Sequence, residues 1–459
     1  MIESLSGIRG VYGSDLTVDV VRDYAHAYIQ SLCGEGNRPV THLVVGRDTR
    51  ASGDEIAEVF FKVWKNHYGI DVIDVGVLPT PLVENAVRAF EAHGGVIITA
   101  SHNEPEYNGM KFLRPTGGTL YAHEAENLIF SAHQKERGEE GEDPGEYTEE
   151  HHASISSYIK LVEQILGPVA MDKNLKVYLD ANGGSAAMCA EQIFTYFGIA
   201  FEKIGFEPGK FWRKVEPRVE NLVGVKSFFG NDMSQKSFAA CFDCDADRVE
   251  FVLPDGQVLA GNVVLGLLFE SLLSEKTSEK NKKVVVNDAT SGLVRDIAKS
   301  YGYEVEEVEV GESNVVYAME IDHLLYGGEG SSGGGIVFPN RCRDGILSTL
   351  IVCKLMSQTG KSLSQLLHDM PHYTYIAEKL SGVSFGGLRE KFRTYAIQHS
   401  LKITTTGDDT GGMKIWFDEY TWVWIRGSKT EPDVVRMHFD GREEGKVLEV
   451  QRIMHAIAL

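Results

Sequence analysis

The stretch HLVVGRDTRASGDEIAEVFFKVWKNH, residues 42–67, packs a whole structural unit into one short run. Leu43 to Val45 is a short apolar run, expected to be a buried strand, and it ends in a Gly/Asp/Arg/Ser loop. Ile56, Val59, Phe60, Val63 and Trp64 then recur at helical spacing, after a helix cap expected in Ser52 to Asp54. The same passage from apolar strand to polar loop recurs in GGVIITASHN, KVYLDANGGS, FAACFDCDADR, KVVVNDATSG and HLLYGGEGSSGGG. Such alternation implies mixed α/β domains, in which ligands sit beyond the carboxyl ends of strands. Each conspicuous polar loop of this chain lies at such an end.

At 459 residues the chain is too long for one core. The charged, glycine-bearing run QKERGEEGEDPGEYTEE (134–150) reads as a connection between domains. A second break falls near LPDGQVLAGN (253–262) and a third near Met370-Pro371, after which the alternation gives way to a smaller α+β pattern. The expected domains are therefore 1–150, 151–258, 259–371 and 372–459, the first three similar in style and the fourth different. No exact internal repeat is visible.

The net charge of -21 argues against nucleic acid, whose phosphates would be repelled over most of the surface. It does not exclude a small anionic substrate, which a local basic pocket can hold. MIESLSGIRG has no basic-then-apolar signal pattern and no apolar stretch is long enough to span a bilayer, so no membrane partner is expected and the cytoplasm is the expected compartment. The six cysteines do not form a disulfide framework. Cys241 and Cys244 make a lone C-x-x-C without a second pair, read as strand and loop residues rather than a zinc or redox site.

ITASHNEPEYNGMKF (98–112) places Ser101, His102 and Lys111 close together at the end of a strand. The nucleophile elbow G-x-S-x-G of an α/β hydrolase is absent there. In FDCDADR, Asp243, Asp245 and Asp247 alternate, so an extended segment would point all three carboxylates to one side. Three neighbouring anions are costly without a cation, and all-oxygen ligation suits a hard ion such as Mg²⁺; a solvated acidic turn is the alternative. An EF-hand is ruled out, since Arg248 and Pro254 stand where Gly and Glu are required. WIRGSKTEP offers Arg426, Ser428, Lys429 and Thr430 as phosphate donors, without the glycine a P-loop needs before its lysine, and a capping turn would explain the same residues. GGEGSSGGGIVFP holds Glu329, Ser331 and Ser332 among glycines that permit close backbone approach. SGIRG places Arg9 between glycines, and GRDTRASG carries Arg47 and Arg50, any of which an ordinary surface arginine would equally explain.

Taken in order, SGIRG, GRDTRASG, the Pro-Thr-Pro at 79–81, TASHNEPEYNGMK, FDCDADR, GGEGSSGG and RGSKTEP resemble the α-D-phosphohexomutase superfamily of phosphoglucomutases, phosphomannomutases and phosphoglucosamine mutases. The resemblance implies three related mixed α/β domains and a divergent C-terminal α+β domain around a central cleft. It implies that Ser101 carries a phosphoryl group, and that Asp243, Asp245 and Asp247 bind Mg²⁺ together with the phosphoserine. Arg9 would offset moving charge, Lys111 would exchange a proton with the sugar oxygen, and His102 would support that step. Glu329 and Ser331 would read the sugar, and Arg426, Ser428 and Thr430 would hold the non-reacting phosphate, with Arg248 also facing the substrate. The implied partners are a hexose phosphate and its 1,6-bisphosphate intermediate, handled by a monomer or homodimer.

The chain departs from the family pattern in places. Its sugar loop has no histidine where Gly-Glu-x-Ser-Gly-His is common, Glu104 replaces a common proline and Cys244 a common glycine. The glycine-rich loop and SGIRG are closer in style to archaeal-type phosphoglucosamine mutases. The leading expectation is thus an isomerase that interconverts glucosamine 6-phosphate and glucosamine 1-phosphate. The competing readings are a phosphomannomutase or phosphoglucomutase, a phosphatase using the same serine, and a sugar-phosphate-binding protein that has lost catalysis.

Overall fold

The structure, a computed structural model, describes residues 1–4, 7–34, 40–136, 143–230, 236–275, 281–331, 333–428 and 433–458. The chain forms two compact units, Met1–Ala260 with Gly333–Gln365, and Gly261–Ser332 with Leu366–Leu459.

The first unit begins with strands β1 (Ile2–Ser4), β2 (Gly7–Val11), β3 (His42–Arg47), β4 (Asp71–Val77), β5 (Gly95–Ile98), β6 (Tyr107–Leu113) and β7 (Tyr147–Glu149), in the sheet order β1-β2-β6-β5-β3-β4-β7. β5, β3, β4 and β7 run parallel, and β1, β2 and β6 are added antiparallel at one edge. Leu43 and Val45 point into a core shared with the helices Val18–Gly34, Gly53–Phe60 and Ala122–Gln134. On the other face a Cβ at Gly46 would meet Val83 Cγ2 at 2.4 Å, so the helix Thr80–Ala89 lies directly against β3. Burial on both faces is why β3 reads as an unbroken apolar run.

The predicted single helix after β3 is an α-helix over Gly53–Phe60 that continues as a π-helical segment, Phe61–His67. Trp64 is fully buried there, with its indole N–H donating to the Ala25 carbonyl at 3.0 Å. Ser52 does not cap the helix with its side chain; its hydroxyl instead accepts from Asn108 Nδ2 at 2.8 Å, tying the helix start to β6.

A second sheet of the same unit holds β8 (Lys176–Asp180), β9 (Ala200–Ile204), β10 (Ser237–Phe242), β11 (Val249–Val252) and β12 (Val258–Leu259) in the order β12-β11-β10-β8-β9. β10, β8 and β9 are parallel and the other two antiparallel.

In the second unit β13 (Lys283–Asn287), β14 (Glu304–Val308) and β15 (Tyr326–Gly328) include the parallel pairs β13 with β14 and β13 with β15. The chain then returns to the first unit through β16 (Gly335–Val337) and the helix Gly345–Thr359. Its last portion, again in the second unit, is an antiparallel sheet of β17 (Thr374–Ser381), β18 (Lys402–Thr405), β19 (Met413–Trp416), β20 (Trp422–Gly427) and β21 (Val434–Gly441), in the order β17-β21-β20-β19-β18. Its buried face shares a core with the helices Phe385–Gln398 and Glu444–Ala458. The chain is thus mixed α/β, with an antiparallel α+β portion at its C-terminal end. Among the described residues no helix is long and apolar enough to cross a membrane.

Candidate active site

In the first unit the loops after β5 and β10 converge. Beyond β5, Ser101 adopts φ 51°, a left-handed conformation that costs energy for a residue with a Cβ. The surroundings enforce it. Thr99 donates its hydroxyl to Asp48 Oδ2 at 2.6 Å and accepts from the Ser101 N–H at 2.8 Å. Arg50 donates to the carbonyls of Ser101, Asn103, Glu104 and Tyr107 at 2.6–2.8 Å and pairs with Asp48 at 3.0 Å. Arg50 is therefore no surface arginine; it is the inner frame of the loop. Gly109 completes the frame, because a Cβ there would come within 2.4 Å of the Ile8 carbonyl and 2.7 Å of that of Thr99.

The acidic loop does not follow the extended geometry that alternation suggested. Residues after Asp243 form a tight turn with Ala246 at φ 51°, and it is this left-handed kink that gathers the carboxylates. Each of the three can offer an oxygen lying within 4.8 Å of the others, and all three residues are buried. The turn is anchored by hydrogen bonds from Ser185 to the Cys244 carbonyl at 2.8 and 2.9 Å, and from the Gly345 N–H to the Ala246 carbonyl at 3.1 Å. Thr80, from the Pro-Thr-Pro, donates its hydroxyl to Asp245 Oδ2 at 2.6 Å.

The two loops meet directly. Ser101 Oγ donates to Asp243 Oδ2 at 2.9 Å, and Lys111 Nζ lies 2.8 Å from Asp245 and 3.1 Å from Asp247. His102 Nδ1 is 3.5 Å from Ser101 Oγ. Arg9 donates to Asn103 Oδ1 at 3.2 Å. Arg248 pairs with Glu216 at 3.0 Å and has its Nε 3.8 Å from Asp247, while Arg343 approaches Asp247 at 3.7 Å.

The charges explain one another. Burial, Asp247 and Asp245 raise the Asp243 carboxyl well above its usual range. For Asp247 burial acts in the same direction, but Lys111, Arg343 and Arg248 outweigh it and hold the carboxyl below its usual range. Burial, then Arg248, Arg9, Arg343 and Arg218, push the His102 imidazole far below its usual range, so it is neutral at neutral pH. One oxygen each of Asp245 and Asp247 is buried with no hydrogen-bond partner. Buried hard oxygens left over, beside a carboxyl strained by like charge, are what a small hard cation would satisfy, and the residues present fit Mg²⁺.

In the second unit, Glu329 follows β15, and its Oε1 accepts from Asn287 Nδ2 at 3.0 Å and from the Gly311 N–H at 2.9 Å. Asn287 Nδ2 also reaches Ser331 Oγ at 3.0 Å. Arg426, at the end of β20, pairs with Glu309 at 2.8 Å, so residues 309–311 hold both Arg426 and Glu329. Ser428 donates its N–H to the Val434 carbonyl at 2.8 Å, and Thr430 lies outside the described residues.

Of the residues selected from sequence, Arg9, Ser101, His102, Lys111, Asp243, Asp245, Asp247 and Arg248 thus converge in the first unit. Glu329, Ser331 and Arg426 are joined through one network in the second. Sequence reasoning did not single out Asp48, Thr80, Asn287, Glu309 and Arg343, and left Arg50 open between a functional role and a surface one. The only signals were a polar residue directly after a strand (Asp48), at a strand's end (Asn287) or beside a proline (Thr80).

A serine hydroxyl, an ammonium group and three carboxylates are brought together and buried at strand ends of a mixed α/β fold, an arrangement chemically suited to moving a phosphoryl group. Comparison with known proteins identifies which kind. Residues 3–139 match the domain described as phosphoglucomutase/phosphomannomutase, alpha/beta/alpha domain I, and residues 260–373 match domain III of the same family. A phosphoglucomutase/phosphomannomutase of Thermococcus kodakarensis is 32% identical over 458 residues, covering 96% of this chain and 95% of the relative. A phosphoglucosamine mutase of Thermotoga neapolitana is 28% identical, covering 97% of this chain and 96% of its own. The crystal structure of a phosphoglucomutase/phosphomannomutase family protein from Burkholderia thailandensis shares the fold, with a TM-score of 0.82 at 23% identity over 100% of this chain and 97% of that one. The chain belongs to the phosphoglucomutase/phosphomannomutase family of the α-D-phosphohexomutase superfamily and is a phosphohexomutase, an isomerase.

Proposed function

We propose that the chain is a Mg²⁺-dependent phosphoglucosamine mutase that works through phosphorylated Ser101. The observation that carries this reading is the 2.9 Å contact of Ser101 Oγ with Asp243, inside the cluster that Lys111 shares. Asp243, Asp245 and Asp247 would hold the ion, with an oxygen of the phosphoserine. Bound there, Mg²⁺ supplies neutralisation of the charge on the transferring phosphoryl group.

The remaining work falls to this chain's own groups. Ser101, fixed by the frame of Arg50 and Asp48, presents its phosphoryl group in line to the sugar hydroxyl. The bond from phosphorus to Oγ breaks as the bond to the sugar oxygen forms; Lys111, entering the step as the neutral amine after its ammonium has released a proton to solvent, takes the hydroxyl proton and returns it to the Ser101 oxygen left behind, with neutral His102 alongside. Arg9 and Arg248 stabilise the charge that moves between the two oxygens. The product of this half is a 1,6-bisphosphate, which reverses end for end and returns its other phosphoryl group to Ser101. Glu329 and Ser331 read the sugar hydroxyls, and Arg426, Ser428 and Thr430 hold the phosphate that does not react. The expected division into domains at 150, 258 and 371 assigns these groups one to each domain.

The choice of glucosamine phosphate rests on the histidine-free, glycine-rich loop around Glu329 and on the name of the Thermotoga relative. The name of the Thermococcus relative favours a second reading, a phosphomannomutase or phosphoglucomutase. Ser101→Ala should lower turnover by at least ~10³-fold, and mass spectrometry should find phosphate on Ser101 of the active enzyme. Full activity in the alanine variant would end the mechanism. Coupled assays across glucosamine, glucose and mannose phosphates decide the sugar.

A further inference from the structure

The second unit contains a cavity of about 310 Å³ that includes none of the groups assigned above to the reaction. It lies among the end of β13, the strands β14, β18 and β19, and the helix Gly292–Ser300. Its volume is at the lower end of the roughly 300–1,000 Å³ of small-molecule sites, enough for one sugar-sized ligand.

The lining has three parts with different chemistry. Trp416 forms an aromatic wall, with the Arg295 guanidinium 5.0 Å and the Lys402 ammonium 5.6 Å from its ring centre. Neither Arg295 nor Lys402 has an ion pair with a carboxylate among the described residues, whereas the third cation, Lys414, is committed to Glu307 at 2.6 Å. The wall therefore presents two cations available to an anion. The third part is Asp288, which is 2% exposed. Its Oδ2 accepts from the Thr406 hydroxyl and, at 2.8 Å, from the Trp424 indole, while its Oδ1 is buried with no hydrogen-bond partner. A buried acceptor left open is costly unless something donates to it.

We propose that this cavity is an accessory binding site for a phosphorylated sugar. The phosphate would meet Arg295 and Lys402, a hydroxyl or amino group would donate to Asp288 Oδ1, and the apolar face of the pyranose would lie on Trp416. An inorganic anion could satisfy only the cations, and an uncharged sugar only Asp288 and the tryptophan. The two attachments together select the class.

The test is equilibrium binding of glucosamine 6-phosphate to the full-length Ser101→Ala protein, which cannot turn over, with and without Lys402→Glu. The exposed Lys402 can be changed without disturbing the core. The number of molecules bound per chain should fall by one with Lys402→Glu, while the same change in the otherwise unaltered enzyme should leave kcat within twofold. Glucosamine and inorganic phosphate should each bind at this site at least tenfold more weakly. Crystals soaked in glucosamine 6-phosphate should show it against Trp416. A bound number that Lys402→Glu leaves unchanged, or a soaked crystal with density only at Ser101, overturns the proposal. Because the readout is the difference made by Lys402, loss of binding at the reaction site would be seen separately and would count against the proposed substrate instead.

Discussion

Arg50→Lys is the most informative perturbation of the serine loop, because it keeps the charge and removes only the geometry. Arg50 and Asp48 have fully buried side chains, and the guanidinium fork spans four carbonyls from Ser101 to Tyr107. An ammonium group donates from a single point and cannot reach carbonyls so spread. Lysine, with three donors, would keep Asp48 and at most two carbonyls, leaving at least two without a charged donor. Each such hydrogen bond contributes about 1.5–3 kcal/mol, so about 3–6 kcal/mol of loop rigidity is at stake, less what entering water restores. The left-handed Ser101 would relax, since its strain persists only under such constraint. If only about 3 kcal/mol of the loss reaches the transition state, kcat/KM falls on the order of 10²-fold. The measurement pairs a coupled assay with amide hydrogen exchange, in which residues 99–107 should lose protection while the strands β3 and β4 keep theirs. Unchanged kcat/KM with unchanged exchange in 99–107 would refute the role given to Arg50.

Asp245→Asn should preserve the fold, as circular dichroism would show, and lower Mg²⁺-supported activity on the order of 10²-fold; undiminished activity in excess chelator would rule the metal out. Glu329→Gln should lower kcat/KM about 10- to 100-fold for every hexose phosphate tested, matching the loss of a charged acceptor of about 1.5–3 kcal/mol, and an effect confined to one sugar would show that Glu329 discriminates rather than binds. Asp440 is pushed up to about 7 by burial, against hydrogen bonds from Ser291 and the Gly292 N–H, so the folded chain holds a proton there that the unfolded chain releases near pH 4. Its contribution to stability therefore falls as pH rises from about 4 to 7, by a few kcal/mol at most. Thermal melts at pH 5 and pH 8 should differ more for the parent than for Asp440→Asn, and equal differences would contradict the assignment.

Much of this was legible in the sequence because it is local. A strand covered by helices on both faces must be apolar throughout, and its polar loop follows at once, so Leu43–Val45 announces the architecture, and Ser101 and Asp243 lie in the polar loops that meet. What was not legible depends on backbone conformation or on distant residues. Alternating aspartates suggest an extended strand, and an alanine at 246 gives no hint of the left-handed turn that in fact gathers them. That turn is imposed by Ser185, Thr80 and Gly345, which lie far away in the chain. Arg50 could not be told from a surface residue because nothing within its own segment shows that carbonyls some 50 residues later surround it. Arg426 read as an open phosphate donor, yet its partner Glu309 comes from a strand end 117 positions away.

The acidity of the chain and the anionic chemistry proposed at Ser101 are reconciled by distance. At physiological salt a charge is screened within roughly 8 Å, so most of the net -21 is not felt inside a buried site. What acts there is the local set: beyond burial, Arg248, Arg9, Arg343 and Arg218 all depress the His102 imidazole, and burial, then Arg248, lower Arg9 itself against the pull of Asp245 and Asp247. Guanidinium groups near enough to disfavour one another are costly unless an anion joins them. The acidic turn, with its raised Asp243, has the opposite excess. Each half of the site thus carries charge the other does not fully neutralise. A phosphoryl group beside the arginines and a divalent cation among the aspartates would complete both at once, and a residue at their junction would touch each. Ser101, bonded to Asp243 and next to His102, is that residue.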